Sequence, residues 1–214
     1  MASAIVVGEG RLAAFVTKLL CSNGTPVALY GTGKPMRESI EALVQEHVEK
    51  IFPLQFIDDL RHQQDMIARL MDNLRMTDDV SRLHGDVIID ATRTSNSPIL
   101  RAVRRFFPDA AVMSLDGPAH DEKTISVHLY EPFEVTRIAQ IIPPLPADST
   151  SVARVRSILN KADVAEVNAE QGDFAEKALN ALRDEDATTP QFEQVIASII
   201  PKRSPINQTH TVMH

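Results

Sequence analysis

The segment Ala4-Ile-Val-Val-Gly-Glu-Gly-Arg-Leu-Ala13, followed by Pro26-Val-Ala-Leu-Tyr-Gly31, constrains the fold more than any other part of the chain. It reads as a short apolar strand, a glycine turn, an amphipathic helix opened by Arg11 and a second apolar strand. The spacing of Gly8, Gly10 and Ala13 matches the G-x-G-x-x-G/A pattern of a βαβ dinucleotide-binding unit. Gly8 permits a tight turn, Gly10 lets a pyrophosphate approach the backbone, and Ala13 lets the helix pack close to the strand. The N–H groups of the first helical turn, which have no partner within the helix, would face the phosphates.

Composition narrows the class. A chain of 214 residues that is 43% hydrophobic can bury a core in one domain with a small appendage. A formal charge of −7 argues against nucleic acid as a partner, since a phosphate-binding surface needs a basic excess. One cysteine excludes an internal disulfide framework and a cysteine-based metal cluster, and Cys21, ending the first helix, reads as a structural thiol. No apolar run approaches the roughly 18 residues of a membrane span, so no membrane insertion is expected. The first strand begins almost at Met1, which leaves no room for a cleavable targeting peptide. The expectation is a soluble intracellular protein, cytoplasmic or mitochondrial.

Further along, Met36 to about Phe52 and a segment carrying Phe56, Leu60, Ile67, Leu70 and Leu74 read as a long helical hairpin broken at Pro53. Met76-Thr-Asp-Asp reads as a short extended piece with a capped turn. Strands are expected at Asp86–Asp90, Ala110–Ser114, Ile125–Tyr130, Thr136–Ile142 and Ala165–Asn168. Helices are expected at Pro98–Phe107, Ser149–Lys161, Phe174 to about Asp184 and Pro190–Ile200. The alternation predicts an α/β fold of Rossmann type, a mostly parallel sheet with helices on both faces and a hairpin insertion after strand 2. Residues 1–170 form the dinucleotide-binding-like domain in this reading, 171–200 a helical remnant and 201–214 a flexible tail.

These pieces, in this order, resemble the N-terminal domain of the L-3-hydroxyacyl-CoA dehydrogenases. The resemblance rests on Gly8-Glu-Gly-Arg-Leu-Ala13, Asp86-Val-Ile-Ile-Asp-Ala91, Ser114-Leu-Asp-Gly117, His128-Leu-Tyr-Glu-Pro132 and Ile138-Ala-Gln-Ile141. It runs from Ala4 to about Phe174. It implies a nicotinamide cofactor and assigns His128 as the acid/base that removes the 3-hydroxyl proton, with position 140 orienting its imidazole.

Several positions depart from the family pattern. The ribose-binding acid should fall near Gly31, and no Asp or Glu occurs between Thr25 and Arg37. Thr32 and Lys34, with Arg37, lie where a cofactor's ribose would, and the two cations would suit a 2′-phosphate. NAD, NADP and no cofactor therefore all stand open. Glu9 puts a carboxylate inside the phosphate turn. The glutamate that supports the histidine is Gln140, which can accept a hydrogen bond but cannot stabilise an imidazolium by charge. Leu115, Glu131 and Lys177 stand where the family carries asparagines. Only Gly172–Ile200 remains in place of the family's helical C-terminal domain.

The other groupings are weak. His120-Asp121-Glu122 and His62-Gln-Gln-Asp65 have no defined metal spacing, so no metal is expected. Arg101, Arg104 and Arg105 cluster on one helix, where a solvated face is the commoner role. Ser95 and Ser97 lack a nucleophile-elbow pattern. The favoured expectation is a diverged, catalytically inactive dehydrogenase-like subunit, structural or regulatory. It would associate with a protein partner or itself through C-terminal hydrophobic residues such as Phe174, Leu179, Ile196 and Ile199. The alternative is an active NAD(P)-dependent oxidoreductase using His128 and Gln140.

Overall fold

A computed structural model describes residues 3–31, 38, 42, 65, 68–92, 94, 97–117, 124–130, 136–146, 148–184, 191 and 194–197. Eight strands are described, β1 (Ala4–Val7), β2 (Val27–Tyr30), β3 (Leu74–Thr77), β4 (Val87–Asp90), β5 (Ala111–Leu115), β6 (Thr124–Leu129), β7 (Ile138–Ile142) and β8 (Ala165–Glu166). Four complete helices accompany them, α1 (Arg11–Ser22), α2 (Pro98–Phe106), α3 (Ser149–Lys161) and α4 (Ala169–Asp184). The strands form one mostly parallel sheet in the order β3-β2-β1-β4-β5-β6-β7-β8. The Rossmann-type α/β expectation is met.

The chain divides into two compact units. The first comprises Met1–Val127 and Ile142–Asp163, the second His128–Ile141 and Val164–His214.

In the first unit, β1 pairs in parallel with β2 on one side (Val7 opposite Tyr30) and with β4 on the other (Val7 opposite Asp90). All four residues of β1 and of β4 are buried, which requires cover on both faces of the sheet. On one face Ile5, Val7, Ile88 and Val112 pack with Leu100 and Val103 of α2. Ile5 and Val7 alternate with Val6, which turns to the opposite face and is equally buried. Helix α2 begins with Pro98 behind Ser97, whose side chain accepts the Leu100 N–H, and α3 begins behind Asp148, which accepts from Thr150 and Ser151. Ser97 is thus a helix cap.

The second unit has its own small core. Tyr130, Ile138, Val167, Ala175, Leu179 and Ile196 are buried together.

Two boundaries and one surface assignment differ from the sequence reading. Leu74 belongs to β3, not to the preceding helix; the segment that looked merely extended pairs along its whole length with β2. Helix α4 begins at Ala169, five residues before the expected Phe174, and runs through Gly172, whose N–H donates to the Asn168 carbonyl at 2.8 Å. Leu179 and Ile196 are 2% and 5% exposed, so they build the interior of this unit and offer no apolar surface to a partner. The hairpin after β2 and the segment after Pro201 lie outside the described residues, apart from a few helical positions before β3.

Cys21 is buried near the end of α1, and burial pushes its thiol up to about 12. The native protein is therefore expected to resist a thiol reagent at neutral pH, with labelling appearing only as denaturant unfolds it. Rapid labelling of the native form would place Cys21 at an accessible site.

Candidate functional site

The first unit contains a topological switch point of the kind found in open α/β sheets. The strand order reverses at β1, which has β2 on one side and β4 on the other, and such a switch point opens a crevice beyond the carboxyl ends of the strands. The turn from β1 to α1 lies there. Gly8 has φ 150°, and a Cβ at this position would stand 2.8 Å from the carbonyl carbon and 2.9 Å from the carbonyl oxygen of Ala91. The Ala91 N–H donates to the Val7 carbonyl at 2.8 Å, so the two turns are clamped together. Gly8 thus clears the neighbouring turn, which the sequence pattern alone does not reveal. Gly10 adopts φ 85° and ψ −168°, a region essentially reserved for glycine, and no described atom lies within 4 Å of where its Cβ would be. It precedes α1 directly, and the Ala14 N–H closes the first helical turn on its carbonyl at 3.1 Å. Arg11 is exposed at the first helical position and Ala13 is fully buried, as close helix–strand packing requires. Glu9 is exposed.

The turn after β4 is ordered by its own side chains. Buried Asp90 accepts hydrogen bonds from the Thr92 N–H at 3.0 Å and the Thr92 hydroxyl at 2.7 Å. The Thr94 N–H and hydroxyl in turn donate to the Thr92 hydroxyl oxygen at 3.3 and 3.2 Å. Asp-x-Thr-x-Thr is a readable turn signal that the sequence analysis passed over.

At the end of β2 the ribose acid is absent, as the sequence indicates: Gly31 stands there, its N–H donating to the Thr77 carbonyl at 3.2 Å. The carboxylates at this edge follow β3. One of them, Asp79, is engaged by the Ser81 hydroxyl and N–H, which with Arg82 hold it below the usual carboxylate range. Thr32 and Lys34 lie outside the described residues, as do Arg37, Ser95, His120, His62 and Glu131.

The second unit gathers the residues expected to carry chemistry. His128 is half-buried, and its ring meets that of Tyr130 edge-on with centroids 4.6 Å apart. The Tyr130 hydroxyl donates to Gln140 Oε1 at 3.2 Å. The main chain of Tyr130 is tied down twice, its N–H to the Ile138 carbonyl at 3.3 Å and its carbonyl to the buried Thr136 hydroxyl. Burial, reinforced by Glu176 and Asp173, raises the phenol above its ordinary range, so it is a neutral donor at physiological pH. Gly172 completes the arrangement: a Cβ there would collide with the Tyr130 hydroxyl and come within 3.3 Å of Gln140 Oε1. Tyr130 and Gly172 escaped the sequence reading. Tyr130 lies two residues beyond His128, and Asn168 before Ala169-Glu170 is a helix-start signal that would have brought Gly172 into α4.

Two other expected positions have structural places. Leu115 is buried in β5 opposite Val127, and Lys177 is exposed on α4. No group of three or more His, Cys, Asp or Glu suited to a metal occurs among the described residues.

No protein-family model matches the chain, and no curated protein matches it in sequence. Solved structures do share its fold. FadB2 of Mycobacterium tuberculosis is 15% identical, with a TM-score of 0.60 over 94% of this chain and 78% of that one. The (S)-3-hydroxybutyryl-CoA dehydrogenase PaaH1 of Ralstonia eutropha is 13% identical, with a TM-score of 0.60 over 92% of this chain and 77% of that one. The 3-hydroxybutyryl-CoA dehydrogenase of Escherichia coli is 13% identical, with a TM-score of 0.59 over 87% of this chain but only 44% of its own. The fold is thus that of the 3-hydroxyacyl-CoA dehydrogenases, and the part matched is their N-terminal NAD-binding domain. The likeness is one of fold.

Two pairs of substitutions separate the roles assigned above. Gly8→Ala and Gly10→Ala each incur backbone strain of about 1–3 kcal/mol, and the clash with Ala91 adds about 1–3 kcal/mol at Gly8 alone. Urea denaturation should therefore rank Gly8→Ala as the less stable. In the second unit, Gly172→Ala should displace the Tyr130 ring and lower the melting temperature. Adding Tyr130→Phe, which removes the colliding hydroxyl, should restore part of the loss; no restoration would mean that Gly172 is required for another reason.

Proposed function

We propose that this chain is a dehydrogenase-like protein that has kept the dinucleotide cradle but not hydroxyacyl oxidation, and that it acts as a regulatory or structural subunit. The observation that carries the reading is the Tyr130–Gln140 hydrogen bond. A carboxylate at position 140 would stabilise an imidazolium on His128 by charge, whereas an amide cannot. Its Oε1 accepts from a neutral phenol, so the amide at this position is engaged by Tyr130.

The cradle itself fits the pyrophosphate of a dinucleotide. Gly10 faces open space before the first turn of α1, where backbone N–H groups and the helix dipole favour an anion. When bound, a nicotinamide cofactor would supply a hydride acceptor, and this chain's own part would be to hold its phosphates at Gly8–Ala13. Gly31 offers no carboxylate to a ribose diol, so the preference for NAD is weakened, and Lys34 and Arg37 in the sequence favour the 2′-phosphate of NADP. The domain division read from the sequence belongs to the same proposal, with the βαβ portion binding and the C-terminal helices as an appendage.

A second reading, an active NAD(P)-dependent oxidoreductase, is favoured by the retention of His128 against a buried aromatic ring. Calorimetric titration with NADH and NADPH, with turnover of a short 3-hydroxyacyl-CoA measured in parallel, separates the two. The proposal expects saturable binding weakened at least about tenfold by Gly10→Ala, and no turnover above background. Turnover that His128→Ala abolishes and Gln140→Glu raises would establish the enzyme instead. Binding of neither cofactor would leave the turn as architecture alone.

A further inference from the structure

We propose that the outward face of α2 is a contact surface for a second copy of this chain, and that it engages the acidic face of that copy's α4. Ile99 and Phe106 are among the few large apolar residues left exposed, at 40% and 61%. They stand seven positions apart, two helical turns, on the same side of α2. Ala102, half-buried, lies between them, so the three form a continuous apolar strip at the edge of the buried Leu100–Val103 face. Arg101 and Arg105, both exposed and four apart, border the strip on its solvent side.

Three arginines on one nine-residue helix are unusual in a protein of net charge −7. On α4, Glu170, Asp173 and Glu176 are exposed at intervals of three, with Lys177 as the neighbouring cation. Burial first, and then Glu176 and Asp173, raise the Tyr130 phenol, in keeping with negative charge on this helix. A basic strip with an apolar seam and an acidic helix on the same chain are complementary. In such a contact the aromatic and aliphatic pair supplies the desolvated centre, and the arginines set register and rate of encounter. Each copy carries both faces, so the pairing can form twice in a closed two-fold dimer or once per step in an open chain.

Sedimentation of the full chain over a concentration series, at low and high salt, tests this. The wild type is expected to self-associate, with association weakening as salt rises. Phe106→Asp should weaken it at least about tenfold, the scale of an interfacial aromatic. The double variant Arg101→Glu/Arg105→Glu and the triple variant Glu170→Lys/Asp173→Lys/Glu176→Lys should each be monomeric alone. Mixed, they should pair, because both faces are again complementary. Circular dichroism melts of each variant distinguish a lost contact from a lost fold. A wild type monomeric at about 100 μM overturns the proposal. So does an association that survives Phe106→Asp and both charge reversals, or reversed variants that fold but do not pair.

Discussion

The first unit depends on one close approach. β1 is held between β2 and β4, all three strands are parallel, and none of the residues of β1 and β4 reaches solvent. Adjacent parallel strands both begin their following turns at the carboxyl edge of the sheet. Those two turns then compete for the same space. The conflict is resolved at Gly8, where the absence of a Cβ lets the Ala91 backbone sit against the chain, and the Val7–Ala91 hydrogen bond fixes the distance. Asp90 and the threonines hold the second turn in shape, and α1 can then start at Arg11 with its N-terminus turned to the crevice. The turn's shape is a consequence of how the strands are packed.

The second unit is organised around Gln140, whose carbonyl oxygen is bound by Tyr130. The phenol is in turn tied to Ile138 and Thr136 through its main chain, and Gly172 is small where a larger residue would strike the hydroxyl. A neutral phenol against a neutral amide is a stable pair in a buried setting, since neither partner loses the hydration energy of a charge. A glutamate in the same place would set a half-buried carboxylate against a phenol where burial, and then Glu176 and Asp173, already disfavour negative charge.

The βαβ opening was legible because three independent signals coincide within thirty residues: an apolar run, a small-residue spacing and a second apolar run. The Rossmann order follows from the alternation of buried strands with helices, and each central strand appears within two residues of its expected place. Leu74 was misread because β3 is an edge strand whose half-exposed residues, Leu-Arg-Met-Thr, carry no long apolar run and directly follow a helical segment. The start of α4 was misread because Gly172 is a poor helix residue by propensity, and its reason for being there lies on another strand. Tyr130 is invisible to a motif for the same reason. Spacing reports what a backbone requires locally, whereas the Tyr130–Gln140–Gly172 contact joins residues up to 42 positions apart.

The same distinction separates what a fold requires from what a reaction requires. The features legible in the sequence are those that packing enforces: glycine where a turn crosses a turn, alanine where a helix lies on a strand, buried aliphatics along β1 and β4. The positions that depart from the resemblance, Gly31, Leu115 and Gln140, each have a structural place here. Leu115 shows the direction most clearly, since an apolar side chain there is fully satisfied by burial opposite Val127, whereas a polar one would need a partner. Burial alone therefore accounts for Leu115, with no reference to any reaction.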